Sequence, residues 1–302
     1  MTKTSIIIAT NSRPTLLPRA VESAKASGTD VEVIVVDDAS TDATVDVCKQ
    51  LDGIKYIRLD ENQGTARARN VGIDASSGEY ISFHDDDDKR LPGSLDELTG
   101  LLDANPNAGL AYGKAWAGNE NLVPMGDPFP AEMVQGDVFW RLIEANFIPT
   151  IAAVFRRSCL SEVGMLDASL KGVDDYDLWI RIAERHAVRG LTKPVGIWRA
   201  AQADSGQGSS DKVLEALRTN EVSNRALDSL ARCLNDNVTA EKTRAAVRRR
   251  TSEFLFWNAS ENYRHGNISA MRSSLVAGLK FDTKRIIRPS VLKMALRSVL
   301  PA

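Results

Sequence analysis

The stretch Glu79-Tyr80-Ile81-Ser82-Phe83-His84-Asp85-Asp86-Asp87-Asp88 sets a short apolar run against four consecutive carboxylates. Residues 79–83 read as a buried strand, so the charged end belongs where the strand leaves the core. Carboxylates this close repel one another. A hard divalent cation, Mg²⁺ or Mn²⁺, relieves that repulsion and keeps coordination positions for substrate phosphates. The competing reading is a solvated acidic loop, and the rest of the chain decides between them.

Working outward, residues 6–10, 31–36, 54–59 and 109–112 are further apolar runs of strand length. Residues 65–75 and 95–103 carry helical patterns, Pro14 suits the first turn of a helix after the first strand, and Ser40 or Thr41 can cap another. Strand and helix alternate, which predicts an α/β fold with a mostly parallel, doubly wound sheet flanked by helices. Ligands of such sheets bind beyond the carboxyl ends of the strands. Three polar clusters fall at those ends: residues 10–13, Asp37-Asp38 and Asp85 to Asp88. Far apart in sequence, they are expected on one rim, which argues for a single nucleotide site.

Beyond residue 113 the pattern is less regular. Residues 114–134 read as a loop, 136–145 as a helix, 151–155 as a strand, 156–163 as a short helix and 195–198 as a last strand. Residues 176–185 form a clear amphipathic helix, with Leu178, Trp179, Ile182 and Ala183 on one face. The Gly/Ser-rich residues 203–210 mark a boundary. Helical patterns near 211–233, 239–264, 267–279 and 290–300 follow it. Two parts are therefore expected, an α/β domain over 1–205 that carries the nucleotide site and a C-terminal α-helical appendage over 206–302. Charge divides the same way: 21 Lys/Arg against 31 Asp/Glu in the first part, 17 against 9 in the second.

The chain has 302 residues, 43% apolar and 26% charged, as expected of a soluble globular protein. No apolar stretch approaches the ~20 residues that span a bilayer. Three widely spaced cysteines suggest a reducing compartment, hence a cytoplasmic protein.

The first ~200 residues resemble family 2 glycosyltransferases, inverting enzymes with a GT-A fold. The matching stretches are Ser5 to Thr10, Val35 to Asp42, Asn62 to Gly72, the acidic run, Phe155-Arg156-Arg157, and Asp174 to Arg181. Six in order are specific where any one alone is weak. The resemblance implies a nucleotide-sugar donor, UDP-linked by default, a divalent cation, and a carbohydrate, glycolipid or protein acceptor in polysaccharide or glycoconjugate synthesis. It implies that Asp37 accepts from the base or ribose, with Thr10, Asn11 and Arg13 lining the same end; Arg69, on a helix facing that rim, is placed to contact nucleotide or an acidic partner. It aligns Asp85-Asp86-Asp87 with the metal-binding Asp-x-Asp: Asp87 as direct ligand, Asp85 meeting ribose or metal through water, Asp86 on the donor side. Asp88 continues the acidic pair and orients the site, while His84 takes the last strand position. Attack by an acceptor hydroxyl needs a positioned base, and the resemblance assigns that to Asp175, with Asp174 assisting the acceptor. Asp174 and Asp175 would also favour a helix N-terminus electrostatically.

The sequence departs from the family pattern at several points. Ala9 stands where Pro is frequent, Asn11-Ser12 replaces an aromatic-Asn pair, and Ala39 replaces Gly. Ala200, Ala201 and Gln202 occupy the stretch where many relatives have a His near the diphosphate, and Gln202 is the partial substitute. Residues 280–297 carry six basic residues against Asp282, with apolar residues at helical spacing. Such a helix packs on the catalytic domain or touches an anionic membrane at the inner face of the cell; nucleic-acid binding has no support. A pyrophosphorylase would need a Gly-rich phosphate loop, and residues 9–20 contain no Gly. A non-catalytic nucleotide-sugar-binding protein of the same fold is the other alternative, and retention of Asp87 with Asp175 argues against it.

Overall fold

A computed structural model describes residues 4–144, 146–170 and 172–200, and further on residues 252, 255–257, 259–260, 262–263, 268–281 and 289–299. The chain divides into two compact units: residues 1–139 with 146–207, and residues 140–145 with 208–302.

The first unit begins with strands β1 (Thr4–Thr10), β2 (Val31–Asp37), β3 (Ile54–Arg58) and β4 (Tyr80–Phe83). They alternate with helices α1 (Leu17–Lys25), α2 (Thr44–Gln50) and α3 (Thr65–Ala75). All four strands are parallel, in the order β3-β2-β1-β4. Their near-continuous apolar runs follow from burial on both faces. Ile6 and Ile8 join Leu17, Val21 and Ala24 of α1 in one cluster, together with Leu95, Leu98 and Leu102 of α4 (Ser94–Asp103). Ile34 and Val36 pack with Ala68 of α3 on the other face. Gly72 lets α3 approach closely: a Cβ there would lie 2.4 Å from a methyl of Ile7.

The rest of the sheet is mixed. It comprises β5 (Lys89–Arg90), β6 (Ala108–Gly118), β7 (Pro124–Phe129), β8 (Ala153–Arg156) and β9 (Ala187–Arg199). β8 lies antiparallel between β4 and β6, and β9 lies parallel to β6 and antiparallel to β5. Helices α6 (Cys159–Val163) and α7 (Asp174–Arg185) complete this region, whereas helix α5 (Phe139–Glu144) belongs, after its first residue, to the second unit.

Several expectations need correction. Residues 114–134 are not one loop, since β6 continues to Gly118 and turns back as β7. β7 pairs only with β6, so its Pro and Gly sit on an edge where no further ladder needs their N–H groups. The last strand starts eight residues earlier than expected, hidden by Gly190 and Pro194; register shifts at Gly113 and Lys114 absorb the irregularity. Residues 150–152 form a 3₁₀ turn before β8. Pro18, not Pro14, occupies the first turn of α1. Ser40 and Thr41 cap nothing; Asp42 accepts from the N–H and hydroxyl of Thr44 instead.

In the second unit, α8 (Ile268–Phe281) and α9 (Pro289–Val299) enclose a separate cluster of Phe256, Ala259, Met271, Leu275, Val291 and Met294. Leu292 and Leu296 of α9 are exposed. No helix among the described residues is long and apolar enough to cross a membrane. The boundary stretch 203–210 and the helix expected at 211–233 lie outside the described residues, as does most of the one at 239–264.

Candidate active site

The ends of β1 and β2 build one flank. Asp37, fully buried at the end of β2, accepts from the Ser40 N–H and the Tyr56 hydroxyl, each at 2.8 Å, with Arg58 Nε 3.8 Å away. Burial and this bond push the Tyr56 phenol up, so it stays a donor. Asp38 turns to the scaffold and accepts from the N–H groups of Gln63 (2.7 Å) and Gly64 (2.8 Å), holding the turn that starts α3. Gly64 has φ +87° there, a conformation suited to glycine. Asn11 donates to the Asp38 carbonyl at 2.6 Å. Ala39 sits at φ +58°, in the left-handed region that a Gly would occupy without strain.

The acidic run follows β4 and is mostly buried. Thr10 donates to Asp86 Oδ2 at 2.6 Å. Arg13 Nη1 lies 2.7 Å from Asp87 Oδ2 and 3.7 Å from Asp86 Oδ1. The Asp88 Oδ1 accepts from the backbone N–H of Arg199 at 2.8 Å, and the Arg199 guanidinium is 3.7 Å from Asp87. Only Asp85 keeps a third of its side chain in solvent. Desolvation dominates the electrostatics. It pushes Asp86 up to about 7 against the pull of Arg13 and Thr10. Asp87 and Asp88 are also raised, first by burial and then by neighbouring carboxylates. His84 is buried beside Arg90 and drawn down to about 3, so it is neutral core.

The third component is the start of α7. Arg69, buried on α3 with its guanidinium 5.0 Å from the Phe83 ring centroid, donates to Asp85 at 2.6 Å and to Asp174 at 2.8 Å. It thereby joins the acidic run to α7. The next residue, Asn70, clips the segment before α7, donating to the Leu166 carbonyl (2.8 Å) and accepting from its N–H (3.0 Å). Below, Trp179 packs with Phe83 and Phe155, ring centroids 5.6–6.1 Å apart. Asp175 is partly exposed, accepts from the Tyr176 N–H at 2.6 Å and from the Thr150 hydroxyl. Burial, then the Asp174 charge, raise it to about 6 against the pull of Arg69 and Thr150. A carboxylate near that value accepts a proton more readily than an ordinary Asp while ionised at neutral pH.

The structure thus bonds Thr10 and Arg13 to Asp86 and Asp87, joins Asp88 to Asp87 through Arg199, and joins Asp85 to Asp174 through Arg69, with Asp175 next in the chain. Asp37 and Asn11 belong to the adjoining β1–β2 network. Gln202 lies outside the described residues. Three participants had no sequence signal: Tyr56 beneath Asp37, Thr150 on Asp175, and Arg199 against Asp87 and Asp88. Each acts through an approach between strands that no local pattern encodes.

The donor set suits a hard cation. Asp85 and Asp87 offer oxygen atoms amid crowded negative charge, the ligand chemistry of Mg²⁺ or Mn²⁺. Among the described residues no three His, Cys, Asp or Glu side chains form a ready cage.

Comparison with known proteins gives the same direction. The chain is 42% identical over 217 residues to the GalNAc(5)-diNAcBac-PP-undecaprenol beta-1,3-glucosyltransferase of Campylobacter jejuni, covering 68% of this chain and 67% of that one. It is 28% identical over 267 residues to the succinoglycan biosynthesis protein ExoU of Rhizobium meliloti, covering 82% and 74%. It is 29% identical over 186 residues to an uncharacterized glycosyltransferase of Haemophilus influenzae, with 60% of this chain spanning 62% of that relative's length. Crystal structures of S. aureus TarS 1-349, alone and in complex with UDP, superpose with TM-scores of 0.62 and 0.63 at 17% and 16% identity. Each covers 98% of this chain and 88% of theirs, which shows a shared GT-A fold. The family model for Glycosyl transferase family 2 matches residues 5–164, over half the chain, and the protein belongs to that family.

Proposed function

We propose that the chain transfers a hexosyl group from a nucleotide-sugar, a UDP-sugar by preference, to an acceptor hydroxyl with inversion, in polysaccharide or glycoconjugate synthesis. The observation that carries this reading is the arrangement around Asp175: a partly exposed carboxylate raised to about 6, oriented by Thr150 and coupled through Asp174 and Arg69 to the acidic run. TarS structures in complex with UDP and UDP-GlcNAc support the donor class. The names of the Campylobacter and Rhizobium relatives support the pathway class.

In this mechanism Asp37 and Asn11, with the ends of β1 and β2, receive the nucleoside. Asp85 and Asp87 would hold a divalent cation, which offsets charge on the departing diphosphate when bound. Asp175 takes the proton of the acceptor hydroxyl as its oxygen attacks the anomeric carbon and the bond to the diphosphate breaks, with inversion at that carbon. Asp174, fixed by Arg69, keeps Asp175 at the first turn of α7. Asp88, held by the Arg199 N–H, shapes the far side of the run, and Gln202 is assigned to the diphosphate end.

The basic residues of the C-terminal part, and a relative named for an undecaprenol-linked saccharide, support a site at an anionic membrane. Co-sedimentation with phosphatidylglycerol vesicles, absent with phosphatidylcholine alone, checks that contact. The central test is nucleotide release from UDP-, dTDP- and GDP-sugars with Mn²⁺ or Mg²⁺ against EDTA. Metal-dependent release from one donor, lost in Asp87→Ala, is expected. A protein that releases no nucleotide from any donor and binds none would sink the proposal.

A further inference from the structure

Resting on the donor-and-cation reading above, we infer that Arg13 is the placeholder for the cation, and that it gives up Asp87 only when a nucleoside diphosphate arrives with the ion.

Asp87 is 3% exposed, and its Oδ2 is already held by Arg13 at 2.7 Å with Arg199 at 3.7 Å. Arg13 also reaches Asp86 Oδ1 at 3.7 Å, and Asp86 Oδ2 is taken by Thr10. One oxygen of the carboxylate assigned to the metal is therefore bonded to a positive charge of the protein itself. A lone divalent ion must break this ion pair before it can use Asp87. It would leave a guanidinium facing the ion, and like charges in a poorly solvated site repel strongly.

The two arginines differ in what they can do about this. Arg199 is anchored, because its own N–H bonds Asp88 and its side chain is almost fully buried at the end of β9. Arg13 stands at the opening of the turn before α1. Its backbone is fixed there, with its N–H donating to the Thr44 hydroxyl (3.0 Å) and its carbonyl accepting from Leu16 and Leu17. Its side chain is 18% exposed and reaches the run from the solvent side. A guanidinium on a fixed base with a long stem can exchange one oxyanion for another by rotating its stem, and phosphate is a matched bidentate partner. A diphosphate offers Arg13 that exchange and offers the cation phosphate oxygens in the same event.

Cation and nucleotide thus load together, each tightening the other by the same factor, as linkage requires. The ion without the nucleotide meets an occupied site.

The test is Mn²⁺ uptake, read from the free-ion electron paramagnetic resonance signal, with and without UDP and corrected for the UDP–Mn²⁺ complex. Wild type, Arg13→Gln and Arg13→Lys are compared, with unfolding temperatures confirming the fold. In wild type, UDP is expected to tighten Mn²⁺ about tenfold or more, within the usual range of coupling. Arg13→Gln should take up Mn²⁺ alone several-fold more tightly than wild type and lose most of the coupling, while Arg13→Lys keeps it. Lone-ion affinity that is unchanged or weaker in Arg13→Gln, with UDP binding intact, overturns the inference and leaves the donor reading standing. Absence of UDP binding in wild type with or without Mn²⁺ overturns both.

Discussion

The two halves of the catalytic sheet build the site by different rules. In the parallel half, β1 to β4 all end at one rim, so Thr10, Asp37 and the acidic run converge because every strand points the same way. In the mixed half, β8 runs against β4 and β6, and β9 runs with β6 but against β5. There Thr150 reaches the site from the start of a strand and Arg199 from the end of another. A one-directional sheet makes a binding rim predictable from strand ends, whereas a mixed sheet requires the pairing to be known first. In the mechanism proposed above, the mixed half also brings the proton acceptor, so the division would separate holding the donor from completing the transfer. Arg69 crosses it, with one bond to Asp85 and one to Asp174.

If that division holds, changes in the mixed half reduce turnover and changes in the parallel half reduce donor affinity. The sharpest case is Asp175→Asn, which keeps the shape and removes the base. Turnover is expected to fall about 10³-fold, within the range for general-base loss, while the UDP dissociation constant changes less than about twofold. Donor affinity falling together with turnover would erase the distinction.

Asp37→Asn probes the other half. Its dissociation constant for UDP should rise about tenfold, equal to ~1.4 kcal/mol, with the rate at saturating donor nearly unchanged. Calorimetry and saturation kinetics on the same preparation decide it.

Proton transfer gives a subtler test. Asp175 works ionised, so the rate should rise with pH through about 6 and then level. Thr150 donates to the carboxylate and favours its ionised form. Thr150→Val removes that donor, raises the apparent value and moves the profile toward higher pH, with a several-fold loss near pH 6 and little at pH 8. A profile that does not move would detach Thr150 from the base.

The smallest effect concerns the scaffold of the parallel half. Ala39 adopts φ +58° between Asp37 and Ser40. Ala39→Gly removes roughly 1 kcal/mol of backbone strain, partly offset by unfolded-chain entropy. The unfolding temperature should rise by about 1–3 °C with UDP affinity unchanged. A large gain in affinity would show that the strain reaches the binding surface.

How far the sequence could be read follows from the same contrast. Apolar runs located β1 to β4 within a residue or two, and α3 spans the same eleven residues that its pattern marks out. The first eight residues of β9 escaped because Gly190 and Pro194 interrupt its pattern, and β7 because an edge strand tolerates the residues that usually signal a loop. Arg69 was expected to face the rim and to contact nucleotide or an acidic partner. Which carboxylates it joins, one of them 105 positions away, was not legible.

The sequence by itself determined the fold class, the family and the places where carboxylates accumulate, because hydrophobic periodicity and acidic runs are local properties of the chain. Tertiary structure alone decided which carboxylate is bonded to what. Asp38 holds a turn while Asp37 meets Tyr56, Asp174 is bonded to Arg69 while Asp175 is raised, and Asp87 is paired with Arg13 and Arg199. The physical reason is that the charge and reach of a buried acid depend on desolvation and on partners a few ångströms away, and folding draws those partners from distant parts of the chain.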